Sequence, residues 1–470
     1  MKLLLTFVFA VLLSGLQAQV DTVLLDEAGH FYFEDPFLPY SAYTSDLDEL
    51  DRPFIYSACL ELGLVTFEYD ASGNIWPVDT LVPSVFAGLK PTNVWQESNT
   101  LYVSLGGYAG LIPQRAGLAV VDVSDPANMS LTAQWDSIAW NQGSAKVIKH
   151  GNTVFLGAME RGVIAIDVSD PADPQWLSTF LPDPDFPDIP GLFSTPNARG
   201  LCMYGDDMLL VCYDHGGLRM LDVSDPSNMT ETGMYMNWDL YDVAAPAYNN
   251  VAVIGDYAYV PVDYCGLDVV YLAGDTMSNA FWFNPWECTE LNWDGAPGHA
   301  NEVRVVGDSL LFISGGDSEV LVFDVTDPST PVMKGAYAYP GDSIVAWGMD
   351  VKDNLVSLAL IDNSVLQVPY YSDKGGVMLL NMEVVIPADM QENHDLRIHL
   401  YPNPAYDRIH VSGLQTGSAF YSLRAMDGRI LATGTIIDNG AISISALPSG
   451  WYQLVLTMDQ NASTITMLKI

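Results

Sequence analysis

Gly217-Leu218-Arg219-Met220-Leu221-Asp222-Val223-Ser224-Asp225-Pro226 is the stretch from which the rest of the chain can be read. It is an apolar run opened by glycine, closed by aspartate and followed by Ser-Asp-Pro. Near-copies occupy residues 117–126 (GLAVVDVSDP), 162–171 (GVIAIDVSDP) and 319–328 (EVLVFDVTDP). A phrase that returns at a long period marks one supersecondary unit duplicated into an array.

The aspartates that close the apolar runs stand at 122, 167, 222 and 324, with gaps of 45, 55 and 102 residues. The last gap is about two periods, and Cys265-Gly266-Leu267-Asp268-Val269-Val270-Tyr271 fills the missing slot. Gly63-Leu64-Val65-Thr66-Phe67-Glu68-Tyr69-Asp70 matches upstream, and Gly376-Val377-Met378-Leu379-Leu380-Asn381 matches downstream. Seven units therefore run from about residue 40 to 385. Within each, period-2 alternation in β-branched and aromatic residues predicts strands. Turns such as His150-Gly151-Asn152, Gly205-Asp206-Asp207 and Gly307-Asp308-Ser309 predict hairpins. Three or four antiparallel strands in about 45–55 residues is the size of a propeller blade. Ser-Asp-Pro ends the third strand: proline gives the ladder no N–H, and Ser or Asp bonds the backbone two residues on.

These phrases resemble the LVIVD repeat of surface and secreted β-propeller proteins of bacteria and archaea. The resemblance covers roughly residues 55–385. It implies a propeller of seven blades and no catalytic residues, because that family shares a fold and no common reaction.

The two ends differ from the array. Met1-Lys2 and the apolar run from Leu3 to Leu13, with Gln17-Ala18 before Gln19, read as a secretory signal peptide over residues 1–18. The run is too short to span a bilayer, and no other segment qualifies as a transmembrane helix. Residues 395–470 hold five Asp, no Glu, four Arg and one Lys, and so carry no net charge, whereas the whole chain carries −40. With Lys2 set aside, residues 19–394 carry −41. Such a step marks a domain boundary, with residues 386–394 as linker between a propeller at 19–385 and a domain at 395–470. Short strands between turns predict a small β-sandwich there. The expected fold is thus all-β: a seven-bladed β-propeller followed by a small C-terminal β-sandwich.

Tyr401-Pro402-Asn403-Pro404, then Asp427-Gly428, then Gly450-Trp451-Tyr452 and Lys469 at the end resemble the type A C-terminal sorting domain of the type IX secretion system. The resemblance implies outer-membrane translocation by that machinery and removal of the domain by a sortase-like peptidase. The passenger would then be secreted or attached to the outer cell surface. The chain closes on Ile470, where some members add a further basic residue, which bears on attachment rather than export.

A charge near −40 excludes nucleic acid and anionic membranes as partners by repulsion. The acidic segments Pro182-Asp183-Pro184-Asp185-Phe186-Pro187-Asp188 and Ser45-Asp46-Leu47-Asp48-Glu49 raise calcium as a cofactor, though neither has EF-hand spacing. Five cysteines leave at least one thiol free. Cys202 and Cys212 flank one hairpin and either pair across it or remain buried thiols.

No nucleophile elbow, Walker loop, dinucleotide turn or His-Glu-x-x-His motif occurs, and no catalytic residue is assigned. In propellers, the segments leading into the innermost strands converge around the central channel. There the sequence places Trp140, Asn197, Arg199, Asn250, His299, Asn301 and Trp347. Aromatic faces beside amide and guanidinium donors suit a glycan or peptide. Trp282, Trp286 and Trp293 form either a second rim or a packed loop. The function expected is a binding or adhesion module for polysaccharide or a surface protein; the alternative is an extracellular hydrolase or lyase acting at the channel mouth.

Overall fold

The computed structural model describes residues 22–34, 40–106, 114–141, 143–187, 196–240, 247–290, 296, 298–315, 319–340, 343–365, 371–385, 399–401, 405–414, 417–425, 430–448, 450–458 and 461–469. The signal segment 1–18, the linker 386–394, and Asp188, Trp293, Pro402, Asn403, Pro404, Asp427 and Gly428 lie outside the described residues.

Strand follows strand, and no α-helix occurs among the described residues. Between Thr22 and Val385 the strands form seven four-stranded antiparallel sheets. One sheet shows the plan: Asn197–Tyr204 is innermost, followed outward by Met208–Asp214, Gly217–Asp222 and Thr230–Tyr235. The repeated phrase is the third strand of its sheet, as Val163–Asp167 and Val320–Asp324 also are. It is mostly apolar because neighbouring sheets cover both of its faces; in Val163–Asp167 every residue but the last is buried.

The closing residues do the turn work expected of them. The Asp122, Asp167, Asp222 and Asp324 carboxylates each accept from the backbone N–H two residues on, at 2.8–2.9 Å. The second aspartates, Asp125, Asp170, Asp225 and Asp327, repeat this one turn later at 3.0–3.2 Å. The opening glycine has its own cause. Gly217 has φ +68, and a Cβ there would lie 2.1 Å from the Tyr235 carbonyl oxygen of the outer strand.

Each inner strand packs against the next around the array, and the circle closes where Asp46–Leu47 meets Ala346–Lys352. Thr22–Tyr32 supplies the outer strand of the last sheet, antiparallel to Gly376–Val385, with Leu25 opposite Met382. The first described strand thus completes the last sheet. Apolar clusters fill the space between sheets; one unites Leu210 and Met220 with Val260 and Val270 of the next sheet. Inside it sits Asp268, fully buried, accepting from Tyr235 (3.0 Å), Tyr248 (3.2 Å), Asn279 (2.7 Å) and Asn237 (3.4 Å).

The cysteine alternatives resolve against pairing across the hairpin. Cys202 and Cys212 are free thiols, as is Cys59, and the disulfide joins Cys265 to Cys288. Cys202 stands opposite Leu210 rather than Cys212, so the two are offset along the ladder. The bridge pins the insertion that follows Thr276–Phe283. Trp286 is buried against the next core and Trp282, in the strand before it, donates to the Cys265 carbonyl (2.8 Å), so the described part of this insertion packs as a loop rather than forming a rim.

Downstream, a three-stranded and a four-stranded antiparallel sheet share one apolar core that includes Ile409, Val411, Leu423, Leu454 and Met467. Pairing brings the flanks of the three tail blocks to one end. Gly450 lies opposite Lys469, Ala425 opposite Tyr452, and Ala405 bridges Lys469. Tyr452 is buried and donates to the Pro448 carbonyl (2.8 Å), while exposed Tyr401 stacks on His410.

Candidate functional site: the channel mouth

The inner strands all present their leading ends to the same face, and polar residues at or near those ends meet there. The opening is lined by Tyr43, Asn93, Ala145, Lys146, Arg199, Asn249, Asn250, Asn301, Glu302 and Trp347, drawn from the inner strands or the segments leading into them. It pinches to about 30 Å³ and widens along the same strands into a chamber of about 670 Å³, with Ile148, Leu201, Val303 and Val351 in its wall.

Ion pairs brace the pinch. Lys146 Nζ lies 3.2 Å from Glu302, and Arg199 lies 3.2 Å from Asp214. Arg304 reaches Glu302, Asp350 (3.4 Å) and Asp46 (3.5 Å) from three different sheets. Glu302 also accepts from Asn250. Burial and the neighbouring Asp350 push the Asp46 carboxyl up to about 7, with Arg304 pulling the other way. The Trp347 ring packs edge-on to Tyr43 at 6.0 Å, and the Arg199 guanidinium lies 5.8 Å from the Trp347 ring.

Of the residues expected here, Arg199, Asn250, Asn301 and Trp347 line the opening together. Asn197 begins its inner strand opposite Asp214 and does not line it. His299 is buried in the wall, its Nδ1 on the Asp263 carboxylate, tying a loop of one sheet to the inner strand of the next. Trp140 corrects the reading of the strand boundary: it belongs to the outer strand Ser130–Asn141, paired with Arg115, not to the approach to an inner strand. Its side chain lies outside the described residues.

Asn93 and Lys146 were not singled out, yet a signal existed. Asn93, Lys146 and Glu302 each directly precede the first valine of an inner strand, at 94, 147 and 303, and Asn250 precedes Val251 just ahead of another. The acidic segment 45–49 is committed to protein cations: Asp48 is held by Arg52 (2.6 Å) and Tyr56 (2.7 Å), and Asp46 by Arg304. Among the described residues no group of three or more His, Cys, Asp and Glu is placed to hold a metal ion. No helix among them is long and apolar enough to cross a membrane.

The LVIVD repeat model matches residues 101–137, 198–237, 248–271 and 297–339. Solved structures share the fold at low identity. The RRP9 WD40 repeats align with TM-score 0.52 at 9% identity, over 77% of this chain and 100% of that one. A chain of a mitotic checkpoint complex aligns with TM-score 0.50 at 12% identity, over 81% and 100%. No curated protein matches the sequence. The chain therefore carries LVIVD repeats in a β-propeller fold, an architecture suited to a binding or scaffold module.

Proposed function

We propose that this is an exported, seven-bladed propeller whose channel mouth binds a polysaccharide of the cell exterior, with the C-terminal sheets forming a removable type IX sorting sandwich. The observation that carries the binding reading is the convergence of Trp347, Tyr43, Arg199, Asn249 and Asn301 from separate sheets on one opening. Flat aromatic surface beside fixed amide and guanidinium groups is what sugar recognition needs. A rigid ring holds these groups without ordering cost at binding. Titrating the mature full-length protein against a polysaccharide panel, with calcium and then chelator, should give saturable binding. Trp347→Ala should weaken it about tenfold or more, the loss expected of a central aromatic contact. Binding to a surface protein in place of every polysaccharide would redirect the reading, and unchanged affinity in Trp347→Ala would remove the mouth from it.

The export reading rests on the signal segment, the charge step at the boundary and the described flanks of the three tail blocks lying at one end. In a host with type IX secretion, deletion of residues 395–470 should strand the protein in the periplasm. Full recovery of the truncated chain outside the cell would defeat it.

One observation favours the hydrolase or lyase alternative. Asp46, held near 7 beside Asp350 on the channel wall, is a carboxyl that can carry a proton at neutral pH. Shortening of a bound polysaccharide by the wild type but not by Asp46→Asn would establish it.

A further inference from the structure

Resting on the polysaccharide reading, we infer that the channel mouth recognises a hydroxyl of an uncharged hexose glycan, and that Asn249 and Asn301 are the pair that reads it. The orientation of both amides is set by their surroundings. Asn249 Nδ2 donates to the Ala300 carbonyl at 2.8 Å and to Asn301 Oδ1 at 3.3 Å. A carbonyl cannot donate, so the nitrogen of Asn249 must face Ala300 and its Oδ1 must point away. Asn301 Oδ1 is then the acceptor of that pair, which turns its Nδ2 outward. Asn249 Oδ1 and Asn301 Nδ2 are the two atoms left over, buried and with no hydrogen-bond partner among the described residues. Asn249 is 9% exposed and Asn301 7%, and both line the pinch.

Both residues line the opening, and leaving a buried acceptor and a buried donor unsatisfied is unfavourable, so a group that answers both gains from doing so. A hydroxyl donates and accepts at once. A carboxylate only accepts and an ammonium only donates, so neither ion satisfies the pair. Local charge points the same way. Arg199 is matched by Asp214, Lys146 by Glu302, and Arg304 by Glu302, Asp350 and Asp46. No counter-ion is called for, and a net charge of −40 repels acidic polymers before they arrive. Size agrees as well: about 30 Å³ admits one small group, a water or a hydroxyl. The Trp347 and Tyr43 rings beside it offer the flat surface a pyranose needs.

Calorimetric titration of the mature full-length protein tests this with neutral cello-, laminari-, malto- and manno-oligosaccharides beside oligogalacturonate. A neutral series should bind saturably and oligogalacturonate should not. Asn301→Asp, which exchanges the donor for an acceptor, should weaken that binding about tenfold or more. Deoxy analogues of the bound sugar, tried on the unaltered protein, should include one that loses a comparable amount; this arm stands even if the variant fails to fold. Preference for oligogalacturonate, or tolerance of every deoxy analogue, would overturn the inference while leaving a polysaccharide-binding propeller. Binding of no glycan at all would overturn both.

Discussion

Asp268 shows how one buried side chain ties stability to pH. It sits in the third strand of its sheet with four donors around it, yet burial outweighs them and pushes its carboxyl up to about 7. In the unfolded chain the same group ionises in the ordinary carboxylate range near 4. From there up to about 7 the unfolded state has released a proton that the folded state keeps. Its contribution is therefore intact below about pH 4 and is lost progressively as pH rises through about 7. The loss is on the order of 1.4 kcal/mol for each unit separating the two values. Asp268→Asn cannot ionise, so its urea midpoint relative to wild type should improve from pH 5 to pH 8; a constant difference would refute the assignment. Arg219, in the same phrase of another repeat, is likewise fully buried, held by Glu231 (2.8 Å) and by the Gly216 and Phe186 carbonyls. Its neighbours in sequence give no hint of those partners.

At the level of the element, the repeated phrase is a strand with a defined start and stop. The start is a backbone requirement: Gly162, Gly217 and Gly266 all have positive φ and abut an outer-strand carbonyl within 2.1 Å of an ideal Cβ. The stop is the pair of aspartate turns. The two ends are not equally demanding. Gly217→Ala drives a methyl group into backbone, whereas Asp222→Ala removes solvent-exposed turn bonds. Thermal melting should therefore show a clearly larger loss for Gly217→Ala, and the reverse order would contradict the close approach. A bulge recurs between third and outer strands, at Ala165/Ile166, Met220/Leu221 and Val322/Phe323, where the extra residue raises local twist. No residue type marks that bulge in the sequence; it is set by how two twisted strands meet.

For the whole molecule, closure is the decisive feature. Thr22–Tyr32 covers the edge of Gly376–Val385 and sends Val23 and Leu25 into the core shared with Phe312 and Leu358. Without residues 19–32, the last sheet would expose both an unpaired strand edge and apolar surface, a combination that invites aggregation. The truncated protein should melt lower and elute as larger species in size-exclusion chromatography. A monomer of unchanged stability would show that closure lies elsewhere.

The sequence by itself determined the array: its period, the third-strand phrase, the hairpin and aspartate turns, and the charge step before the tail. These are local properties, written in neighbouring residues and repeated often enough to read. It also pointed to Arg199, Asn250, Asn301 and Trp347, because each stands at or just ahead of the start of an inner strand. Only the tertiary structure decided that Asn249 partners Asn301, that Arg304 gathers carboxylates from three sheets, that His299 belongs to the wall, and that Cys265 pairs with Cys288. Those contacts join separate sheets or a long insertion. Their geometry follows from strand stagger and the closing of the circle, which no short stretch of sequence encodes.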